Sequence, residues 1–297
     1  MIRANGTNAP VNPGEIMLRL LIGLLLAVAA LLPAHAAESY DNCTGTIESL
    51  PATINTQGTW CLKDNLSTAI TSGAAITIAT NNVTIDCNDF KVGGLAAGDT
   101  TDALGIVAGN RLNATIRNCG IRGFRIGIWM TGASSAGHLI EDNRLDHNTG
   151  DGIEVFGSGH VIRRNRIVDT GGRPASGNTS AITSFGAEVV IADNVINGMT
   201  VTAVGGDVSA INAFGNMSEV ARNTITGLIP DATGSGVGVN MGGATASSIH
   251  DNQILAAPAV DGSGISSPAA NLCGDNRVSG FASGFSNCTN AGGNTNN

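Results

Sequence analysis

The sequence IRRNRI at positions 162–167 recurs as IADNVI at 191–196, VARNTI at 220–225 and IHDNQI at 249–254. In each copy an apolar residue stands three positions before an Asn, and another stands two positions after it. Looser copies are Ile85-x-x-Asn88-x-Phe90, Ile116-x-x-Cys119-x-Ile121, Ile140-x-x-Asn143-x-Leu145 and a last one around Asn276. Internal repeats of roughly 20 to 50 residues are typical of solenoid proteins. Each copy is therefore predicted to form one coil.

Each coil continues into a second strand that opens with Gly or Ala followed by Ile or Val. These pairs are Gly105-Ile106, Gly127-Ile128, Gly152-Ile153, Ala181-Ile182, Ala210-Ile211, Gly236-Val237 and Gly264-Ile265. A single coil cannot bury its apolar face, but stacked coils place Ile on Ile and close a continuous core. The recurring Asn satisfies backbone groups at the turn and bonds to the Asn of the next coil. The sequence thus predicts an all-β fold, a parallel β-helix of about eight coils.

The charges beside the repeated Asn alternate in sign from coil to coil. The preceding position holds Asp142, Arg164, Asp193, Arg222 and Asp251, and the position before that holds Asp86, Arg117, Glu141 and Arg163. Stacked parallel strands bring such side chains within ion-pair reach, where like charges would repel. Both rows are interpreted as structural ladders.

These repeats, with Ile47-x-x-Leu50-Pro51, Gly58–Leu62 and Asn82–Asn88 before them, resemble the pectate-lyase-like right-handed parallel β-helix superfamily. The resemblance covers about residues 47–276 and is close to bacterial secreted members. It implies that the Asn ladder lies between the second and third sheets. It also implies that the Gly-Ile strands form the first sheet, which carries substrate with its neighbouring loops. The scaffold hosts lyases, hydrolases, epimerases and non-catalytic adhesins, so the fold alone does not select a reaction.

The N-terminal segment has the pattern of a secretory signal peptide. Met17-Leu18-Arg19 precedes the apolar run 20–32, and Ala34-His35-Ala36 follows as a cleavage site. The run is too short to span a bilayer. We expect residues 1–36 to be the signal peptide, with Met17 as an alternative start, and the protein to be secreted, either extracellular or periplasmic.

The remaining chain is predicted to divide into an N-terminal cap segment at 37–82, a parallel β-helix at 83–288 and a flexible tail at 289–297. The tail offers Gly, Asn and Thr but nothing to bury. Six cysteines behind a signal peptide indicate three disulfides. The repeats place Cys87 and Cys119 on adjacent coils, which favours sequential pairing: Cys43–Cys61, Cys87–Cys119 and Cys273–Cys288.

The net charge of −8 argues against nucleic acid as a partner. An anionic polysaccharide would be repelled as well, unless a metal ion or a local Arg cluster compensates. The expected partner is a polysaccharide or cell-surface glycan, with no membrane association after signal removal, and the protein is expected to be a monomer. Asp99 and Asp102 offer oxygen ligands for calcium, which is a weak signal from two carboxylates.

Normal alternation of the Gly-Ile strand points one row of side chains outward. The row is Val107, Trp129, Glu154, Thr183, Asn212, Gly238 and Ser266. A Trp ring stacks on sugars, and a neighbouring carboxylate binds hydroxyls or acts as acid or base. Phe156, Phe185 and Phe214, one per coil, form either a surface stripe or an inward stack at a corner.

Loops leading into this strand carry further polar residues: Arg122, Arg125, His147, Asp151, Arg173 and Asp207. A lyase needs a cation, for which Arg125 and Arg173 are candidates. An inverting hydrolase needs two carboxylates about 6.5–9.5 Å apart, and Glu154 with Asp207 is a marginal pair at about 10 Å. The superfamily's lyase, polygalacturonase and alginate epimerase motifs are not matched.

The catalytic candidates are Glu154, Asp151, Arg125, Arg173 and Asp207, and the substrate-binding candidates are Trp129, His147, Asn212 and Phe156. Three hypotheses follow: a polysaccharide lyase or glycoside hydrolase, a non-catalytic glycan-binding or adhesion module, and a structural solenoid. Convergence of Glu154, Asp151 and Arg125 in a cleft would favour the first hypothesis, a flat aromatic face the second, and loops that cover this face the third.

Overall fold

A computed structural model of the chain describes residues 42–174 and 177–297, so the predicted signal peptide lies outside the described residues. The first half contains β1 (Gly45–Ile47), β2 (Ala52–Ile54), β3 (Gly58–Leu62), β4 (Leu66–Ser67), β5 (Ala74–Ile78), β6 (Val83–Asp86), β7 (Lys91–Gly93), β8 (Leu104–Gly109), β9 (Thr115–Arg117), β10 (Gly120–Arg122), β11 (Ile126–Thr131), β12 (Leu139–Glu141), β13 (Arg144–Asp146) and β14 (Asp151–Val155). The second half contains β15 (Val161–Arg163), β16 (Arg166–Val168), β17 (Asn178–Ser184), β18 (Val190–Ala192), β19 (Val195–Thr200), β20 (Asp207–Ala213), β21 (Glu219–Ala221), β22 (Thr224–Ile229), β23 (Gly236–Asn240), β24 (Ser248–His250), β25 (Gln253–Ser266), β26 (Leu272–Gly274), β27 (Arg277–Ser286), β28 (Thr289–Gly292) and β29 (Thr295–Asn296). One short 3-10 helix covers Leu95–Ala97.

Every strand pairing in the described residues is parallel, and the strands stack on three faces of a solenoid. The first sheet stacks β2-β5-β8-β11-β14-β17-β20-β23-β25-β27, the second β1-β3-β6-β9-β12-β15-β18-β21-β24-β26-β28, and the third β4-β7-β10-β13-β16-β19-β22-β25-β27-β29. The long strands β25 and β27 run through both the first and the third sheets. The predicted all-β parallel β-helix is confirmed. It is slightly longer than the expected eight coils because strands of the cap segment and the tail belong to the stacks.

The core is a set of apolar columns, one for each sheet. The register places Ile128, Ile153, Ile182 and Ile211 directly on one another in the first sheet. Matching columns of Ile, Val and Leu line the other two sheets, and all of these side chains are fully buried. Each coil thus buries its apolar face only against its neighbours, as the repeat predicts.

A ladder of Asn side chains, all buried except the last, joins the second and third sheets. It comprises Asn143, Asn165, Asn194, Asn223, Asn252, Asn276 and Asn294. In a typical step, the Asn194 Oδ1 accepts from the backbone N–H of Asn165 at 2.9 Å, while its Nδ2 donates to the Ile162 carbonyl at 3.0 Å. From Cys119 to Asn276, each residue at the ladder position therefore has its backbone N–H satisfied by the side-chain amide of the next coil.

The residue before each ladder Asn has a left-handed backbone, with φ of 53° at Arg164 and 59° at Asp193. Its side chain also makes the predicted charge contacts. Arg164 binds Asp142 at 2.8 Å, and Arg222 binds Asp193 at 2.9 Å. In the neighbouring row, Arg117 contacts Asp86 and Arg163 contacts Glu141, both at 2.8 Å. The ion pairs of Arg164 and Arg222 accordingly lie at a backbone position that is unfavourable for arginine.

A second polar ladder lies at the turn that leads into the second sheet, and the sequence analysis missed it. Side chains in this column accept a hydrogen bond from a backbone N–H of the preceding coil. The acceptors are His138, His160, Ser218, Ser247 and Asn271. The two imidazole rings stack at 5.0 Å and 2°. Burial and the neighbouring His160 lower the pKa of His138 to about 4, and burial lowers the pKa of His160.

Two registers differ from the sequence analysis. In the first looser copy the residue that aligns with Ile121 is Val92, not Phe90. Asn88 and Asp89 lengthen that turn with left-handed φ values of 48° and 63°, and the Cys87–Cys119 disulfide bridges the ladder position there.

The second difference concerns the strand Gly236–Asn240, where the repeated pair is Gly238-Val239 instead of Gly236-Val237. Two Gly-Val pairs follow each other in the sequence, and only Val239 is buried in the core. The outward row therefore contains Asn240 where Gly238 was expected.

The six cysteines form Cys43–Cys61, Cys87–Cys119 and Cys273–Cys288, which is the predicted sequential pairing. Residues 289–297, predicted to be a flexible tail, contain β28 and β29 and extend the Asn ladder through Asn294. The tail prediction failed because it considered burial alone, whereas these polar residues are held by backbone pairing. Within the described residues, no helix has the length and apolar character needed to cross a membrane.

Candidate functional site

The outer face of the first sheet carries Asp151 and Glu154 together because strand alternation is interrupted at Gly152. Both Gly152 and Ile153 are buried, whereas Asp151 and Glu154 are half-buried. A Cβ added at Gly152 would meet the Ile167 side chain at 3.0 Å, so this position faces the core. Because two consecutive residues point inward, Asp151 and Glu154 both point toward the outer face although they are three positions apart.

Trp129 and Glu154 lie opposite each other on β11 and β14, as the outward row predicted. The indole Nε1 donates to the Glu154 Oε1 at 3.0 Å. Burial raises the pKa of Glu154, and this effect outweighs the hydrogen bond from Trp129 and the positive charge of Arg125. The pair thus combines an aromatic ring with a carboxyl group that holds its proton more tightly than usual.

Asp151 is the most strongly perturbed carboxyl group of this face. Its Oδ1 accepts from the Ser180 backbone N–H at 2.7 Å. The pKa of Asp151 is raised to about 6, mainly by burial and further by the charge of Glu154. The hydrogen bond from Ser180 and the charge of Arg125 lower the pKa but do not cancel this rise. Asp151, Glu154 and Arg125 therefore interact electrostatically, which brings three of the predicted catalytic residues together.

Arg125 has an unused donor at this place. Its Nε is buried and has no hydrogen-bond partner among the described residues, and it lies 3.9 Å from the Asp102 Oδ1. A buried guanidinium donor without a partner is unfavourable. The Arg125 side chain as a whole is 39% exposed, whereas this Nε is shielded from solvent.

Arg173 is held in a different contact. Its Nη2 binds the Asp102 Oδ1 at 2.9 Å, and its Nη1 donates to the Thr101 carbonyl at 3.1 Å. These bonds hold the loop after Leu95–Ala97 against Arg173, which follows Asp102 by 71 residues in the chain. Arg173 therefore positions Asp102, which in turn faces Arg125.

A hydrogen-bonded polar strip continues from Asp151 along the solenoid axis. The Ser180 Oγ accepts from Asn212 Nδ2 at 2.8 Å, and the Asn212 Oδ1 accepts from Asn240 Nδ2 at 3.1 Å. Asp151, Ser180, Asn212 and Asn240 thus connect four successive coils. The sequence analysis named Asn212 but missed Ser180 and Asn240, and only the register of β23 identifies Asn240.

The other predicted site residues lie elsewhere. The Asp207 Oδ1 accepts from the backbone N–H and hydroxyl of Ser235 at 2.8 and 3.2 Å, two coils from Glu154. His147 lies on the turn before β14, 3.1 Å from the Asp146 carboxylate, and lines a different cleft with Asp99 and Thr149. Neither contacts the Trp129–Glu154 pair in the described part of the chain.

Phe156, Phe185 and Phe214 form a stacked surface stripe at the end of the first-sheet strands. The ring centroids are 4.6 and 5.4 Å apart, and Phe185 is 47% exposed. The inward alternative is therefore wrong. A Gly follows each ring, and a Cβ on Gly186 would overlap the carbonyl oxygen of Gly157. The close backbone stacking at these glycines keeps the rings in one column.

The described residues contain no group of three or more His, Cys, Asp or Glu side chains that could hold a metal ion. Asp102, one of the two calcium candidates, faces the guanidinium groups of both Arg173 and Arg125. A calcium ion there would compete with two fixed positive charges. The geometry does not support the suggested calcium site.

A family model described as "Right handed beta helix region" matches residues 53–225. No curated protein sequence matches the chain. Among solved structures, the Dettilon tailspike protein is similar with a TM-score of 0.52 and 16% identity, over 81% of this chain and 54% of that chain. The tailspike protein of E. coli bacteriophage HK620, as a double mutant, gives a TM-score of 0.52 at 9% identity, over 92% and 62% of the chains.

A further HK620 tailspike mutant, in complex with a pentasaccharide, gives a TM-score of 0.48 at 9% identity, over 94% and 62% of the chains. The chain therefore spans between half and two thirds of the tailspike proteins that it matches. At these identities the similarity concerns the fold.

Proposed function

Given that the chain belongs to the right-handed beta helix family, we propose that it is a secreted protein that recognises a polysaccharide along the outer face of its first sheet. The observation that carries this proposal is the set of polar side chains on successive coils: Trp129 bonds to Glu154, and Asp151, Ser180, Asn212 and Asn240 bond in series. Extended glycans present repeated hydroxyls, which suit a row of carboxyl, hydroxyl and amide groups on successive coils. The Phe stripe adds apolar area beside this row.

Secretion rests on the signal-peptide pattern and on the three disulfides, which persist in oxidising compartments. In this proposal the ring of Trp129 stacks on a sugar, and Glu154 and Asn212 bind its hydroxyls. Arg125, whose side chain is 39% exposed, offers its guanidinium group to an acceptor on the same glycan. Arg173 contributes only by positioning the loop with Asp102.

Glycan cleavage is a second candidate function, favoured by one observation. Asp151 has a pKa raised to about 6 and lies beside a second carboxyl group, Glu154. A carboxyl group that keeps its proton near neutral pH is suited to act as a general acid, with the other as base or nucleophile. Asp151 is protonated below its pKa, so the rate of such an enzyme falls about tenfold per pH unit above about pH 6.

Tryptophan fluorescence tests recognition directly, because the chain has only two Trp residues, Trp60 and Trp129. Purified protein without the signal segment would be titrated with neutral and uronic-acid polysaccharides. We expect a saturable signal that persists in Trp60→Phe and disappears in Trp129→Phe. Loss of the signal in Trp60→Phe instead, or no retention of any glycan by the unmodified protein, would refute the proposed binding face.

Cleavage is tested on the same glycans through reducing ends and the absorbance of unsaturated products. We expect Asp151→Asn and Glu154→Gln to remove activity while glycan retention persists. Glu219→Gln is the matched control, since Glu219 lies on the second sheet and its carboxylate pairs with Arg222 and His250. Activity that survives Asp151→Asn with an unchanged pH profile excludes Asp151 as the acid.

A further inference from the structure

The outer face of the third sheet carries a row of cations that breaks the charge alternation found elsewhere. Lys91, Gly120, Arg144 and Arg166 occupy one register position on four successive strands. Adjacent strands lie about 4.8 Å apart. The stems of Arg144 and Arg166 are therefore direct neighbours with the same charge.

The second sheet and its turn have a different arrangement of charge. There the stacked side chains alternate in sign, as in Arg163 with Glu141 and Arg164 with Asp142. Like charges directly opposite each other on paired strands are destabilising. This repulsion is retained at Arg144 and Arg166, where Asp146 contacts Arg144 at 3.5 Å and no carboxylate of the described residues pairs with Arg166, so a bound anion would relieve it.

The row borders a cavity of about 430 Å³. Gly120 has no side chain, and the stem of Lys91 lies over it, since a Cβ on Gly120 would meet the Lys91 Cγ at 3.0 Å. Neither Lys91 nor Arg166 has an ion pair or a side-chain hydrogen bond within the described residues. Both are exposed, so their donors are free to meet a ligand.

The cavity also holds three carboxylates, two of which are already paired. Asp142 is bound by Arg164 through two contacts of 2.8 Å. Asp146 is 3.2 Å from Arg122 and 3.5 Å from Arg144. Asp89 is exposed and is the remaining acidic group at the edge. The unpaired charge of the cavity is consequently positive, in a protein whose net charge is −8.

We propose that the cleft formed by Lys91, Gly120, Arg144 and Arg166 binds an oxyanion group, such as a sulfate or phosphate, through the two guanidinium groups and the ammonium group. Arginine forks match tetrahedral oxyanions, and lysine adds a point charge. The site lies on the third sheet and does not depend on the glycan face around Trp129. It is the local cationic cluster that lets an otherwise acidic protein hold an anionic ligand.

Calorimetric titration with inorganic sulfate, with dextran sulfate and with neutral dextran tests the site and separates its two ligand sources. We expect saturable binding of at least one sulfated probe and none of neutral dextran. Arg166→Gln should weaken binding about tenfold or more, as expected for the loss of a charge-assisted hydrogen bond. Asp89→Asn should strengthen binding, a gain that partial unfolding cannot produce.

Arg277→Gln is the matched control. Arg277 occupies the same register row on β27, is exposed and stacks on Gln253 and Thr295, which are uncharged. Binding of inorganic sulfate alone would identify a small-ion site, whereas binding of dextran sulfate only would identify an anionic polymer. If neither probe binds, or if Arg277→Gln weakens binding as much as Arg166→Gln, the proposal is overturned.

Discussion

Replacing Asn194 by Ala should destabilise the protein strongly, because this fully buried side chain satisfies two coils at once. Its Oδ1 accepts the Asn165 backbone N–H, and its Nδ2 donates to the Ile162 carbonyl and to the Asn223 Oδ1. The substitution leaves two buried backbone groups without partners, at about 1–3 kcal/mol each. We expect a loss of about 4 kcal/mol in the free energy of unfolding.

The same substitution at Asn294 provides the internal comparison. Asn294 makes equivalent contacts with Asn276 and the Cys273 carbonyl, but it is half-exposed. Water replaces the lost hydrogen bonds there, so the expected loss is about 1 kcal/mol. Urea unfolding followed by circular dichroism measures both values from the midpoint and slope.

Asn194→Asp tests the direction of the amide. The substitution keeps the shape but places an oxygen against the Ile162 carbonyl and the Asn223 Oδ1, where the amide donated. At pH 7 it should be at least as destabilising as Asn194→Ala. If Asn194→Ala loses no more stability than Asn294→Ala, the buried hydrogen bonds of the Asn ladder do not contribute the expected stabilisation of about 4 kcal/mol.

Two further predictions concern the turns. His138 has a pKa lowered to about 4, so the folded state binds fewer protons than the unfolded state between about pH 6.5 and 4. The free energy of unfolding should fall by about 3 kcal/mol as the pH drops through this window. The variant His138→Asn keeps the hydrogen-bond acceptor, so urea unfolding should show a much weaker pH dependence for it. An equal pH dependence in the variant would show that His138 is not the group responsible. Gly186→Ala should lower the melting temperature by several degrees, since the added Cβ overlaps the Gly157 carbonyl. Gly243→Ala is the control and should leave the melting temperature unchanged, because Gly243 has open space around it. Equal effects of the two substitutions would show that the stacked glycines are not required.

The solenoid could be predicted from the sequence because its decisive residues recur. Asn165, Asn194 and Asn223 repeat at 29-residue spacing, and any coil predicts the next. Prediction failed where the local pattern was ambiguous. Two consecutive Gly-Val pairs hid the place of Asn240, and an extended turn moved the aligned apolar residue from Phe90 to Val92.

The site was only partly predictable for a different reason. Trp129 and Glu154 could be paired by strand alternation alone. Asp151 shares their face only because the backbone turns two consecutive positions inward at Gly152. The contact between Asp102 and Arg173 spans 71 residues and depends on how a loop folds across the coils. No periodic pattern records such a contact.

The disulfides of the described solenoid close loops of 18, 32 and 15 residues in its early and late coils, and none lies between Gly120 and Asn271. Each coil contacts only its neighbours, so fraying starts in the outer coils, and each cross-link opposes it by about 3 kcal/mol. While the thiols are reduced, the outer coils therefore fray more readily than they do after oxidation. After oxidation the same coils shield the uncrosslinked middle from proteases. The positions of the cysteines thus make oxidation the step that protects the whole solenoid by closing its outer coils.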